Sequence, residues 1–221
     1  MQAAGKTRRA SGEANAAWNL QPRSGDTGGI FMNALQQFRV AVIATDGFEE
    51  AELTETVKAL KDAGAQVDVI ANKSGMIQAF RHHDKSIQVK VDRNISEVKA
   101  NDYDGLLLPG GAMSADELRA DTKVIEFVKQ FNDSQKPIAA ICHAPWILAS
   151  AGLLEGRMVT SYFTIRDDLK NAGAHWADQS VVVDRNLVTS RTPKDIPSFN
   201  REMIKVFSRS SASVIQVAES A

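Results

Sequence analysis

Short apolar runs alternate with helical patterns over most of the chain. Arg39-Val-Ala-Val-Ile-Ala44 is nearly continuous in apolar residues, as expected of a strand covered on both faces. Residues Glu50 to Ala63 place Leu53, Val57 and Leu60 at helical spacing, and Gly64 is a natural stop. Gln66 to Ala71 predicts the next strand. Residues 76–80 and 86–91 predict weaker strands around a turn at 81–85. Tyr103 to Leu108 predicts another buried strand, closed by Pro109-Gly110-Gly111 and followed by a helix from Asp116 to Phe131. Pro137 to Ile141 predicts a strand that runs straight into Cys142, and His143 to Ala151 a helix stopped by Gly152. A helix near 165–172, a strand pair (Ser180 to Val183 and Leu187 to Thr189) and a last helix near 195–207 complete the pattern. Strands alternating with helices predict an α/β fold: a doubly wound, mostly parallel sheet with helices on both faces.

The ends read differently. Residues 1–36 are rich in Ala, Gly, Ser and Arg without apolar periodicity, so this extension is expected to lack fixed structure. Arg8 and Arg9 give it a faint transit-peptide character that Glu13 and Asp26 weaken, and Met32 is positioned to begin a complete domain. A single domain is expected over 37–207, with a fraying tail at 208–221.

Composition narrows the function classes. The 221 residues are 43% hydrophobic and 24% charged, ordinary values for a globular chain. Twenty-six Lys and Arg against 27 Asp and Glu remove any global electrostatic case for nucleic acid or an anionic membrane. No apolar run reaches the ~20 residues of a membrane span. The expectation is a cytoplasmic protein. One cysteine excludes an internal disulfide framework and a multi-cysteine zinc site.

In doubly wound sheets, ligands gather where strands pass into helices at their carboxyl ends. Three such loops are candidates: Thr45 to Glu50, Pro109-Gly110-Gly111, and Cys142-His143. The first lacks a dinucleotide fingerprint, and no phosphate-binding G-x-x-x-x-G-K-[ST] occurs anywhere in the chain. Its acids Glu49 and Glu50 would, in an arbitrary chain, only complement a helix dipole. The third loop is more specific. A cysteine between a buried strand and a helix sits on a sharp turn, as a nucleophile does, where nearby N–H groups would lower its pKa. Gly110 and Gly111 would let backbone N–H groups approach a reacting carbonyl as oxyanion donors. His82-His83 has no clustered partners in sequence and reads as a solvated turn, so neither metal nor cofactor is expected.

These residues carry a resemblance. Asp46-Gly-Phe-Glu-Glu-Ala-Glu-Leu53, Leu108-Pro-Gly-Gly111, Ala140-Ile-Cys-His-Ala-Pro145, Ala151-Gly-Leu-Leu-Glu-Gly-Arg157 and Ser190-Arg-Thr-Pro193 occur in the order seen in the PfpI family. That family belongs to the class I glutamine-amidotransferase-like superfamily, and the resemblance covers residues 38 to 207. It implies a flavodoxin-like sheet, a nucleophilic Cys142, an adjacent His143, and a buried carboxyl at Glu49 hydrogen-bonded to the sulfur. It also implies an acid that reaches His143 from a neighbouring subunit, for which Asp116 matches best and Glu117 is the near alternative. Ala144 stands where the family usually has Gly, and its N–H would be a further oxyanion donor. Trp146 stands where a smaller polar residue is common, read either as core packing or as pocket lining. His175, the only histidine downstream of His143, lies where the family carries no catalytic residue, so a glutaminase triad is absent.

The resulting expectation is a stress-response cysteine enzyme acting on small carbonyl or acyl groups, with glyoxal-type aldehydes and glycated proteins or peptides as substrates. Peptide cleavage ranks second, and a redox-sensing chaperone with little turnover is the alternative from another class. A homodimer or higher homo-oligomer is expected, without nucleic-acid or membrane partners.

Overall fold

The computed structural model describes residues 33–218, with side chains through residue 210. In chain order the elements are β1 (Arg39–Ile43), β2 (Phe48–Glu49), α1 (Glu50–Asp62), β3 (Gln66–Ala71), β4 (Met76–Arg81), β5 (Asp84–Lys90) and β6 (Arg93–Asn94). Then come β7 (Gly105–Leu108), α2 (Ala112–Ala120), α3 (Thr122–Asp133), β8 (Ile138–Ile141) and α4 (Pro145–Ser150). The last are β9 (Met158–Val159), α5 (Arg166–Asn171), β10 (His175–Trp176), β11 (Val181–Asp184), β12 (Leu187–Ser190) and α6 (Ile196–Ala218).

Seven strands form the central sheet in the order β11-β12-β8-β7-β1-β3-β6. All neighbours are parallel except β11 and β12, which form an antiparallel pair at one edge. The continuous apolar runs are explained by burial on both faces. Along β1, Val40 and Val42 pack with Leu53 and Leu60 of α1 and Phe199, Met203 and Phe207 of α6. Ala41 and Ile43 face the other way, with Val124, Phe127 and Phe131 of α3 and Ile147 of α4. This is the doubly wound α/β architecture that the alternation predicts. The winding reverses between β1 and β7, since β1 leads outward to β3 while β7 leads to β8 and then β12. The carboxyl ends of β1, β7 and β8 therefore open side by side, where such sheets hold their ligands.

Besides the two-residue strands β2, β6, β9 and β10, which no apolar run announced, four details depart from the sequence reading. The helix expected over 116–131 is two helices: Asp121 adopts an extended conformation and caps α3 by accepting the Lys123 N–H at 2.9 Å. The helix after Cys142 begins only at Pro145, because residues 142–144 form the turn itself. The C-terminal helix continues past 207 to Ala218, through a stretch with neither Gly nor Pro to stop it. Finally, residues 1–32 of the expected extension lie outside the described residues, but Leu35 is fully buried and its N–H donates to Ala63 O at 2.9 Å. The packed unit thus includes residues read as extension.

Candidate active site

Cys142 directly follows β8 with φ +64°, a left-handed conformation uncommon for a residue with a side chain. The turn is held on both sides, since Cys142 N–H donates to Ser190 O (3.0 Å) and Cys142 O accepts from Tyr162 N–H (2.9 Å). It is the strained strand-to-helix elbow expected of a nucleophile. His143 turns back on the preceding residue, placing Nδ1 3.2 Å from Cys142 Sγ. The imidazole is stacked on Tyr162 (centroids 4.8 Å apart, 29° between planes) and flanked by Trp146 at 5.6 Å. Burial lowers the His143 pKa, leaving the ring neutral and able to accept a proton near pH 7.

The carboxyl beside the sulfur comes from Glu52, which corrects the assignment of Glu49. Glu52 is fully buried, accepts the Gly110 N–H at 2.9 Å, and sets its carboxyl next to the Cys142 side chain. Burial, reinforced by the charge of Glu49, pushes its pKa up to about 8, so it is protonated at neutral pH. Glu49 instead occupies β2, and its Oε2 accepts the His82 N–H at 3.0 Å in the turn between β4 and β5. Glu50 pairs with Arg81 (2.8 Å) at the same turn. The signal for Glu52 was legible: Glu52, Thr56 and Leu60 follow one another at four-residue spacing and form the buried stripe of α1. An acid on an apolar stripe is the informative exception, whereas Glu49 precedes the first turn.

The thiol also differs from expectation. Burial first, then the neighbouring Glu52, raises the Cys142 pKa above its ordinary value, against the pull of the Gly111 and His143 N–H groups. The helix end invoked for a depressed pKa does not reach it, because α4 begins three residues later and is short. At rest, Cys142 is a thiol facing a neutral imidazole.

The expected oxyanion donors are redistributed. The Gly110 N–H is engaged by Glu52, and the Ala144 N–H closes the elbow by donating to Ile141 O at 3.1 Å. The N–H groups of Gly111 and His143 point at the sulfur. The glycines are required sterically. A Cβ on Gly110 would lie 2.5 Å from Glu52 Oε2 and 2.6 Å from Cys142 Cβ, and one on Gly111 (φ +100°) would strike Gly47 O.

Asp116 is exposed on α2 and makes no hydrogen bond to His143 within this chain. Glu117 accepts from Asn72 Nδ2 (2.7 Å) at the mouth of β1 and β3. Trp146 follows its core-packing reading. It packs on the α3–α4 face of the sheet and donates through Nε1 to Asp168 (2.7 Å), while its ring flanks His143. No group of three or more His, Cys, Asp or Glu side chains among the described residues is arranged to hold a metal ion. No helix among the described residues is long and apolar enough to cross a membrane.

Comparisons with known proteins bear on the fold and the family. A Bacillus subtilis protein named "Putative cysteine protease YraA" is 47% identical over 168 residues, covering 76% of this chain and 97% of the relative. An Escherichia coli protein named "Protein/nucleic acid deglycase 2" is 43% identical over 169 residues, covering 76% and 96% respectively. The solved structure of Drosophila melanogaster DJ-1beta superposes with a TM-score of 0.70 at 27% identity, covering 80% of this chain and 97% of that one. The model of the DJ-1/PfpI family matches residues 38–206, from the start of β1 to within the last helix and so across all three loops of the site. With the family match and the superposed fold spanning the whole sheet, the chain belongs to the DJ-1/PfpI family.

Proposed function

We propose that this protein is a cysteine-dependent enzyme acting on small carbonyl compounds, with glyoxal-type aldehydes and their early adducts on proteins as substrates. The observation that carries this reading is the 3.2 Å approach of His143 Nδ1 to Cys142 Sγ on a strained elbow. In the first step the thiol proton passes to Nδ1 as the sulfur attacks the carbonyl carbon. The new oxyanion is stabilised by the backbone N–H groups of Gly111 and His143, then protonated from the imidazolium. Protonated Glu52 adds no negative charge next to the developing thiolate. The deglycase name of the E. coli relative supports the substrate class.

Peptide-bond cleavage is the second reading, favoured by the name of the B. subtilis relative. The same preparation should be assayed for methylglyoxal-to-lactate conversion and for peptidase activity, with Cys142→Ala alongside. Methylglyoxal turnover that disappears in Cys142→Ala is the expected result. Peptidase activity alone would favour the second reading. Suppression of aggregation that survives Cys142→Ala, without turnover in the wild type, would place the protein among chaperones instead.

A further inference from the structure

We infer that Thr189 is a positioning residue for Cys142, because its buried hydroxyl joins the two segments that fix the backbone of the nucleophile. The inference rests on the reading of Cys142 as the reacting group. A residue with a side chain at φ +64° keeps that conformation only where its surroundings over-determine it. Two backbone bonds do so here, one on each side. Cys142 N–H donates to Ser190 O (3.0 Å), and Cys142 O accepts from Tyr162 N–H (2.9 Å). Ser190 is the last residue of β12 and is held in register against Ile141 of β8. Tyr162 lies outside the strands, in the connection from β9 to α5. Thr189 joins the two. Its Oγ1 accepts the Thr160 N–H at 2.9 Å, two residues before Tyr162, and both threonines are fully buried.

The contact explains why a hydroxyl stands on this strand. β12 lies inside the sheet between β11 and β8, where its neighbouring positions Leu187 and Val188 are apolar and buried. The pairing of β9 with β10 ends at Val159 and Trp176, so the N–H of Thr160 emerges one residue beyond the last rung, in the protein interior. A buried N–H without an acceptor costs about as much as the bond it lacks, and a valine at 189 would leave it in that state. The outer side of the connection has its own brace, since Ser161 Oγ donates to Tyr162 O (2.9 Å) and accepts from Trp176 Nε1 (3.0 Å). The end of β12 thus sets one side of the elbow through the Ser190 carbonyl and the other through the Thr189 side chain. A loosened connection would release Cys142 O and let its φ fall back. The sulfur would then move away from the Gly111 and His143 N–H groups that favour its thiolate.

The test is the pH dependence of Cys142 alkylation by iodoacetamide in wild type, Thr189→Val and Thr189→Ser, read beside amide hydrogen exchange. Thr189→Val keeps the β-branched shape and removes the oxygen. Exchange at Thr160 and Tyr162 should quicken in this variant while the β8 amides keep their protection. Its alkylation at pH 7 should be about fivefold slower, the equivalent of one ordinary hydrogen bond, with the profile displaced to higher pH. Thr189→Ser retains the oxygen and should recover to within about twofold of wild type. On methylglyoxal, kcat should fall with KM little changed, since a fully buried Thr189 meets no substrate. Thr189→Ala removes the same oxygen and serves where Thr189→Val does not fold. Loss of stability by itself is controlled by Phe207→Ala, which removes packing beside Phe38 and should keep the wild-type profile. Coincident profiles for wild type and Thr189→Val, unchanged exchange at Tyr162, or an equal slowing in Phe207→Ala would overturn the assignment. Alkylation and exchange need no substrate, so they judge Thr189 even if methylglyoxal proves not to be turned over, an outcome that would count only against the proposed function.

Discussion

Glu52 links the chemistry of the site to the stability of the fold. Its carboxyl titrates at about 8 in the folded chain, against an ordinary value of 4.5. The folded state therefore holds a proton that the unfolded state releases between these values. Stability from this group is complete below about pH 4.5 and is lost as the pH rises through 8. Glu52→Gln keeps the shape and cannot ionise, so it should flatten this dependence. Urea unfolding of both proteins at pH 4 and pH 8.5 should show the variant gaining roughly 4 kcal/mol relative to wild type across the interval. Parallel curves would mean that Glu52 is ionised in the folded protein, and the neutral carboxyl beside the thiol would be lost from the mechanism.

Among the elements, the short strands depend on buried polar contacts more than on apolar area. β9 has two residues and is secured by Asp184 at the end of β11. Asp184 Oδ2 accepts from Arg157 Nε (2.9 Å) and Met158 N–H (3.0 Å), and the Arg157 side chain is 8% exposed. Asp184→Ala would leave a buried guanidinium short of its counter-charge, at a cost of about 3 kcal/mol in urea unfolding. A loss below about 1 kcal/mol would mean that the pair behaves as a surface ion pair. The break between α2 and α3 has the same origin. A carboxylate capping a new helix outweighs an apolar pattern that would have run through it.

Across the whole molecule, the candidate site and the aromatic packing lie at opposite ends of the sheet. The site occupies the carboxyl ends of β1, β7 and β8. At the opposite end, Phe38 just before β1 meets Phe207 of α6 (centroids 5.6 Å), and both lie over Gly105 at the start of β7. A Cβ on Gly105 would stand 2.8 Å from each ring, so the fit depends on its absence. Phe207→Ala should cost about 3–5 kcal/mol in denaturant unfolding. At temperatures where the variant remains folded, Cys142 alkylation and kcat should be unchanged, because the cavity opens at the far end of the strands. A proportional loss of reactivity would show that α6 also supports the elbow.

Apolar periodicity determined six of the seven strands of the central sheet and their alternation with helices, because a strand covered on both faces has to be continuously apolar; the edge strand β6, Arg93–Asn94, carries no such signal. The position of Cys142 after such a strand, with His143 next to it, was equally legible, since a strand-to-helix turn is a local feature. Tertiary structure decided which groups surround that pair. The place of Glu52 on the buried stripe of α1 was legible in its spacing, but only the packing of α1 against the sheet brings it beside Cys142, while the β4–β5 turn engages Glu49. Tyr162 lies far from His143 in sequence and reaches it only because the segment after β9 folds back over the elbow. The thiol pKa was set in the same way. A sequence shows the helix that follows a cysteine, but burial depends on elements brought together from the rest of the chain, and here burial dominates.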